Sequence, residues 1–300
     1  MSIVRPQRHL WLVGIAAACG WWVSISAARQ APPDIDALMR RIGERVASYY
    51  GQTQRVIFIE RSTVQPIAAN LTPHGFARTV ESEVRVESET DGSLPQSATI
   101  IREVRRINGQ APRARDRQAR GGCTDPNPLS PEPLAFLLPA HRGEDQFTAV
   151  RGTREQGRAA FVIDFVSANR ASSLELVETD RGHDDCFDWS GPVATRGRVW
   201  VDRDTYDVLR ADRRLDGPVN VRVPSTLQRR HGFGPWIVLE RDDRSMRYKA
   251  VVFRDPDEVI GLPASIESTT VLRSDLQSIR RTDTFSGYRR FLGTGRVVGP

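Results

Sequence analysis

The amino-acid sequence predicts a mainly β (α+β) protein: a strongly curved, open antiparallel half-barrel of about ten to twelve strands, with an N-terminal amphipathic helix packed against its concave side. Three observations predict it. Only one long segment, "APPDIDALMRRIGERVASYYG", repeats apolar residues at helical spacing. Nearly everything after it breaks into strand-length runs bounded by Asp, Asn, Gly, Pro or Ser, with no regular strand–helix alternation. A hydrophobic content of 39% over 300 residues is enough for a real core. No fixed-length repeat or low-complexity linker divides the chain, so residues 29–300 read as a single domain.

The elements follow in order. Arg5 and Arg8 precede an apolar run from Leu10 to Ala28 that closes on Ser26, Ala27 and Ala28, so residues 1–28 read as an export signal cleaved near Ala28. An uncleaved anchor helix is the alternative for a run of this length. Cys19, after Ala16, Ala17 and Ala18, gives a weak lipobox that lacks the large aliphatic residue expected where Ala16 stands. Lipid anchoring at Cys19 is therefore the less favoured outcome. The rest of the chain is expected in the periplasm or secreted.

In the helical segment Ile35, Leu38, Met39, Ile42, Val46 and Tyr49 form one stripe, Asp34 can cap its start and Gly51 its end. Arg40, Arg41, Glu44 and Arg45 occupy the other face, so the helix must lie against something. "RVIFIERSTVQPI", "TVESEVRVES" and "ATIIREVRRI" read as long strands, the last running into the turn pair Asn108-Gly109. A Pro-rich loop holds Cys123, and "PLAFLLP" is predicted to form one short helix. "EDQFTAVRGTREQGRAAFVIDFV" reads as a hairpin whose second strand puts Phe161, Ile163 and Phe165 on one side. "GRVWVDRDTYDVLRADRRL" is the next hairpin, with its loop near Asp204 and Thr205, Val199 and Val201 on one face and Trp200 on the other. "GPVNVRVP", "WIVLERDD", "RSMRYKAVVFRD", "PASIESTTVLRS" and "LQSIRRTDTFSGYRRF" supply the remaining strands.

Charge and composition exclude several functions. The net charge of +6 falls by two when the leader and its two arginines are removed, and Lys249 is the only lysine. Basic and acidic residues interleave, as in "ESEVRVESE" and "LERDDRSMR", rather than gathering in the stripe that a nucleic-acid binder needs. Cys123 and Cys186 survive processing; in an oxidising compartment one pair implies one disulfide, worth about 4 kcal/mol for a loop of this length if unstrained. Two unpaired thiols are the alternative.

The sequence lacks a Gly-x-Ser-x-Gly elbow, a His-Glu-x-x-His motif and a Cys-x-x-Cys motif, and Lys249 has no glycine-rich loop before it. The chain is not expected to be an enzyme, and no cofactor is expected. "ETDRGHDDCFDW" gathers Glu178, Asp180, His183, Asp184, Asp185 and Asp188, but not at the spacing of a calcium loop; it reads as an acidic surface loop held by Cys186, with no metal.

The layout of export signal, amphipathic helix, meandering strands and "WVD…T…VLR" hairpin resembles the open half-barrel shared by periplasmic lipoprotein carriers and the periplasmic regulators that sense mislocalised lipoproteins. "REVRRINGQAPRARDR", "PLAFLLPAHRGEDQFTAVRGTREQGRAAFVIDF" and residues 197–212 resemble, in that order, an uncharacterised family of secreted bacterial proteins, for which no catalytic residues are known. The resemblance implies a carrier or sensor that holds an apolar ligand, such as a lipid or a lipoprotein acyl chain.

A curved sheet that does not close around its helix leaves room for such a ligand. Phe58, Phe161, Ile163, Phe165, Trp200 and Tyr248 are the candidate cavity wall, with packing on the helix as plain core the alternative for each. The competing function is a non-enzymatic scaffold or regulator that offers its sheet to an envelope protein partner.

Overall fold

Asp34 starts the helix as expected: its Oδ1 accepts the Asp36 N–H at 3.1 Å, and α1 runs over Ile35–Thr53, two residues past Gly51. Leu38, Met39, Ile42, Val46 and Tyr50 are buried, the stripe that the spacing predicts with Tyr50 at its end. The computed structural model describes residues 34–53, 56–88, 98–113, 133–179, 187–254, 257–274, 276–292 and 296–298. The export signal, Cys19, the Cys123–Cys186 pair and the acidic loop from Asp180 to Cys186 lie outside the described residues.

Strands β1 (Val56–Ile67), β2 (Arg78–Ser88) and β3 (Ala98–Ile107) form an antiparallel meander. Beyond β3, Asn108 and Gly109 both adopt positive φ, 48° and 79°, and Ile107 and Gln110 exchange backbone hydrogen bonds across them. This is the two-residue turn that Asn-Gly favours, because its twist matches that of the flanking strands. "PLAFLLP" forms two 3-10 turns, Ala135–Leu137 and Pro139–His141, in place of the single helix expected. Pro139 has no N–H to carry a helical ladder through the segment.

The remaining strands are β4 (Asp145–Glu155), β5 (Arg158–Ser167), β6 (Leu174–Glu178), β7 (Phe187–Ser190), β8 (Thr195–Asp202), β9 (Val208–Leu215), β10 (Val219–Arg222), β11 (Trp236–Arg254), β12 (Asp257–Arg273), β13 (Ser278–Leu292) and β14 (Arg296–Val298), with a short helix α2 (Ser225–His231) before β11. All belong to one open sheet of order β3-β2-β1-β13-β12-β11-β9-β8-β5-β4, with the others branching off it.

Among the described residues the strands number fourteen, against the ten to twelve expected. Two short strands, β6 and β7, emerge from sequence that looks like loop. Conversely, "WIVLERDD" and "RSMRYKAVVFRD" fuse into β11, because the charged stretch between them keeps pairing: Asp242 and Asp243 face Thr270 and Thr269 of β12, and the Thr270 hydroxyl donates to Asp242 Oδ1 at 3.2 Å.

The sheet forks at β11. Its first residues, Trp236 to Leu239, pair with β10, which leads through the parallel neighbour β6 to β7; its middle, Arg244 to Arg247, pairs with β9, which leads to β8, β5 and β4. The fork creates two cores. The main core joins α1, Leu134, Leu137 and Leu138 to the inner faces of the long strands. A satellite core gathers Leu174, Leu176, Leu215, Val219, Val221, Val223, Leu227, Ile237 and Leu239.

Charged residues divide the two. On β9 Ala211 belongs to the main core and Leu215 to the satellite, and Arg213 between them donates to Asp145 at 3.0 Å. On β11 Leu239 and Met246 are likewise separated by Asp242 and Arg244. Burial pushes the Asp145 and Asp242 carboxyls up and the Arg213 guanidinium down. Pairing across the band limits the cost of desolvating these charges.

Candidate functional site: the helix-filled trough

One cross-strand row describes the inner face. Ile163, Val199, Ala211, Met246 and Ile266 stand opposite one another on β5, β8, β9, β11 and β12, and all five are buried. Past them the row turns polar at Asp283 of β13 and Ser62 of β1, both buried. The Arg281 Nε donates to Asp283 at 2.8 Å, while burial pushes that carboxyl up. The trough is thus hydrocarbon along most of its width and charged near one side.

Five of the six candidate wall residues face the main core. Ile163, Phe165 and Tyr248 are buried in it, and Phe58 and Phe161 pack against it half-buried. Phe165 lies 5.0 Å from Phe136 and 6.1 Å from Phe147; Phe58 lies 5.7 Å from Phe285 and 5.6 Å from Tyr288. Tyr248 meets Tyr49 of α1 edge-on at 6.2 Å. Lys249 follows, its ammonium donating to the Phe285 carbonyl at 3.2 Å and lying 5.5 Å from the Tyr288 ring.

Trp200 is on the other side. Its neighbours Val199 and Val201 are 0% exposed in the main core, so the alternation of the strand turns the indole outward, where Arg210 stacks on it at 4.6 Å. Of the two arrangements open for this hairpin, the structure takes the one with the valines inside.

The sequence reading missed what holds the helix down. At the tip of the β8–β9 hairpin, Asp202 Oδ1 accepts the N–H groups of Asp204 at 2.9 Å and Thr205 at 2.8 Å, and its other oxygen pairs with Arg158 at 2.8 Å. Burial alone would push this carboxyl up; the backbone donors and Arg158 outweigh it and hold the carboxyl below the usual range. The turn brings Tyr206, in the left-handed region at φ 61°, and Asp207 onto α1. Arg45 pairs with Asp207 at 2.5 Å, and Arg41 donates to the Tyr206 hydroxyl at 2.6 Å while lying 5.3 Å from its ring centroid.

At the far end of α1, Gln52 donates to Glu258 at 2.6 Å. The 3-10 segment is tied in as well: Tyr50 Oη accepts the Leu134 N–H at 2.9 Å, and Arg142 donates to the Met39 carbonyl at 3.0 Å. The available signal was the polar sequence "DRDTYD", which reads simply as a turn.

With helix and 3-10 turns in place, the gap expected between sheet and helix is closed. A cavity of about 20 Å³ remains, bordered by Arg45, Val46, Tyr49, Leu134, Asp207 and Tyr248 among others. Burial holds the Tyr49, Tyr248 and Tyr288 phenols firmly protonated. The inner side therefore offers hydrocarbon and neutral phenol, chemistry that holds an apolar group. Among the described residues no group of three His, Cys, Asp or Glu side chains is placed to hold a metal ion, and no helix is long and apolar enough to cross a membrane.

No family model matches the chain, and no curated protein matches it. The chain is similar to two solved structures. A LolA superfamily protein from Nitrosomonas europaea superposes with a TM-score of 0.33 at 11% identity, over 85% of this chain and 94% of that one. The MucA/MucB complex of Pseudomonas aeruginosa gives a chain with a TM-score of 0.22 at 13% identity, over 86% of this chain and 95% of that one.

Proposed function

We propose that the protein is a periplasmic or envelope-associated, non-catalytic binding protein that holds an apolar ligand, such as a lipid or acyl chain, against the inner face of its half-barrel, as a carrier or a sensor. The described conformation is then its closed state. One observation carries the reading: the apolar trough is covered by separate pieces, α1 and residues 134–142, whose polar ties to the sheet are few and lie at the rim. Lifting either piece exposes a continuous apolar wall of the kind that takes up a hydrocarbon chain. Partly buried pairs such as Arg45–Asp207 are worth about 1 kcal/mol each or less, so α1 is held mainly by its apolar stripe, whose contacts a hydrocarbon ligand would replace.

A specific observation favours the second reading, a scaffold that binds a protein partner. Edge strand β3 exposes Ile101 and Val104, at 44% and 42%, beside backbone groups that no described strand pairs on that side.

Native mass spectrometry of protein taken from the periplasm separates the two. A co-purifying lipid mass, together with uptake of a fluorescent fatty acid that speeds up in Arg45→Ala, is the expected result. Absence of both, with a stoichiometric protein bound instead, hands the function to the edge strand.

A further inference from the structure

A cavity of about 890 Å³ lies away from the helix-filled trough, on the satellite branch of the sheet. That volume is within the range of about 300–1,000 Å³ typical of ligand sites. A single cross-strand row runs beside it: Ser190 on β7 faces Glu175 on β6, Glu175 faces Arg222 on β10, and Arg222 faces Trp236 on β11. At a strand spacing of ~4.8 Å the row spans about 15 Å. Trp236 is 57% exposed, the largest apolar ring that this branch leaves in solvent.

The lining is polar yet balanced. Its two cations, Arg170 and Arg222, are each paired with a carboxylate, Asp216 and Glu175 respectively. Arg196 reaches the same Asp216 at 3.5 Å. An anionic ligand would have to break these pairs. Asn220 and the hydroxyls of Ser173 and Ser190 make no side-chain hydrogen bond among the described residues and remain available to a ligand.

The walls are held by hydrogen bonds from backbone N–H groups. The Ser173 N–H donates to the Pro192 carbonyl at 2.9 Å, the Ala194 N–H to Ser172 Oγ at 2.9 Å, and the Asp216 N–H to the Ala194 carbonyl at 3.0 Å. Gly191, at φ 118°, lies so close to this wall that a Cβ would come within 2.2 Å of the Ser173 carbonyl oxygen. Such a groove keeps its shape without a ligand, which lowers the entropy lost on binding.

A flat exposed indole, a dense set of neutral donors and acceptors, and no uncommitted charge together match one chemistry. We infer that this groove binds a neutral oligosaccharide, with the face of a sugar ring stacked on Trp236 and its hydroxyl groups bonded along the Ser190–Glu175–Arg222 row and to Asn220. The apolar hydrogens of a pyranose face suit the indole, and equatorial hydroxyls bridge paired guanidinium and carboxylate groups without separating them. A nucleotide would also stack, but its phosphates would find both arginines engaged. A lipid chain would find too little apolar lining. The site is independent of the apolar-ligand reading of the trough.

The test is calorimetric titration of the purified protein with maltohexaose, cellohexaose and chitohexaose, and with a heparin-derived hexasaccharide as the anionic probe. At least one neutral oligosaccharide should bind with little dependence on salt. Trp236→Ala should weaken it about tenfold or more, as loss of an aromatic anchor does, and Trp236→Phe should weaken it less. Trp200→Ala, which removes the other outward indole, should leave binding unchanged. Trp236 is largely exposed, so its variants keep the wild-type melting temperature. The inference is overturned if none of the three neutral probes binds, if Trp236→Ala binds as wild type does, or if the heparin fragment alone binds, with an affinity that falls as salt rises.

Discussion

On the main-core side of the fork, α1 and residues 134–138 lie over the sheet, with a space of about 20 Å³ beside the helix; on the satellite side, the seven-residue α2 contributes Leu227 to a smaller core and a groove of about 890 Å³ stands open. The difference follows from the side chains. Leu, Val, Phe and Tyr adapt their rotamers until they are close-packed, so an apolar trough facing an apolar helix closes. Paired ions with committed geometry, anchored on hydrogen-bonded loops, cannot collapse onto each other without leaving charges unsolvated. Apolar lining thus yields a space that opens only when something lifts, and ion-paired lining yields one that is open at rest.

Placing the same charge in each core should break the comparison most sharply. Val201→Asp puts an unpaired carboxylate at a position that is 0% exposed in the main core, a cost of several kcal/mol and a large part of a domain's total stability. The variant should lose its cooperative urea transition. Val221→Asp, equally hidden in the satellite core, should cost less, because that branch can open locally while the main core persists. Equal losses for the two would mean that the fork is one cooperative unit.

A smaller effect, of opposite sign at the hairpin tip and in the dividing band, should appear with pH. Asp202 holds the hairpin tip and has a depressed carboxyl; the stability it supplies is fully present above its unfolded pKa of about 3.9 and is lost as the pH falls through its lower folded value. Asp202→Ala should cost about 2 kcal/mol at neutral pH and nothing further in acid. Asp242, whose carboxyl burial pushes up, takes on a proton in the folded state while the unfolded chain is still ionised. Its contribution improves as the pH falls from the raised folded value to the unfolded one, and Asp242→Asn should flatten that limb of a plot of melting temperature against pH.

The smallest effect belongs to the clasp. A double-mutant cycle on Arg45→Ala and Asp207→Ala should give a coupling of about 0.5–1 kcal/mol by urea denaturation, with the sheet intact in all three variants. Zero coupling would remove the hairpin tip as the tie on α1.

Much of this architecture was legible in the sequence. The stripe on α1, the alternation of β5 and β8, and the turn pair Asn108-Gly109 are local patterns, and local patterns survive folding. Alternation put Trp200 and Val201 on opposite faces, but which face turns inward depends on what α1 covers, a long-range fact that no strand carries by itself. Strands β6 and β7 were hidden because strands this short, set among polar residues, look like loop; they persist through pairing with β10 and burial of Leu174 and Leu176. The groove beside Trp236 draws on residues from position 170 to position 236, brought together only by the fork in β11.

The solitary lysine has a practical consequence. Lys249 sits midway along β11, its backbone paired with Leu262 of β12 and its ammonium on the Phe285 carbonyl of β13. A lysine-specific protease therefore has one peptide bond to attack in the entire chain, and that bond is within the strand from which both branches of the sheet spring. Because a protease needs an extended, unpaired segment, each cut requires β11 to unzip. At protease concentrations where cleavage outpaces reclosing, the appearance of two fragments times these openings, so the composition of the chain supplies a clock for the unzipping of one strand.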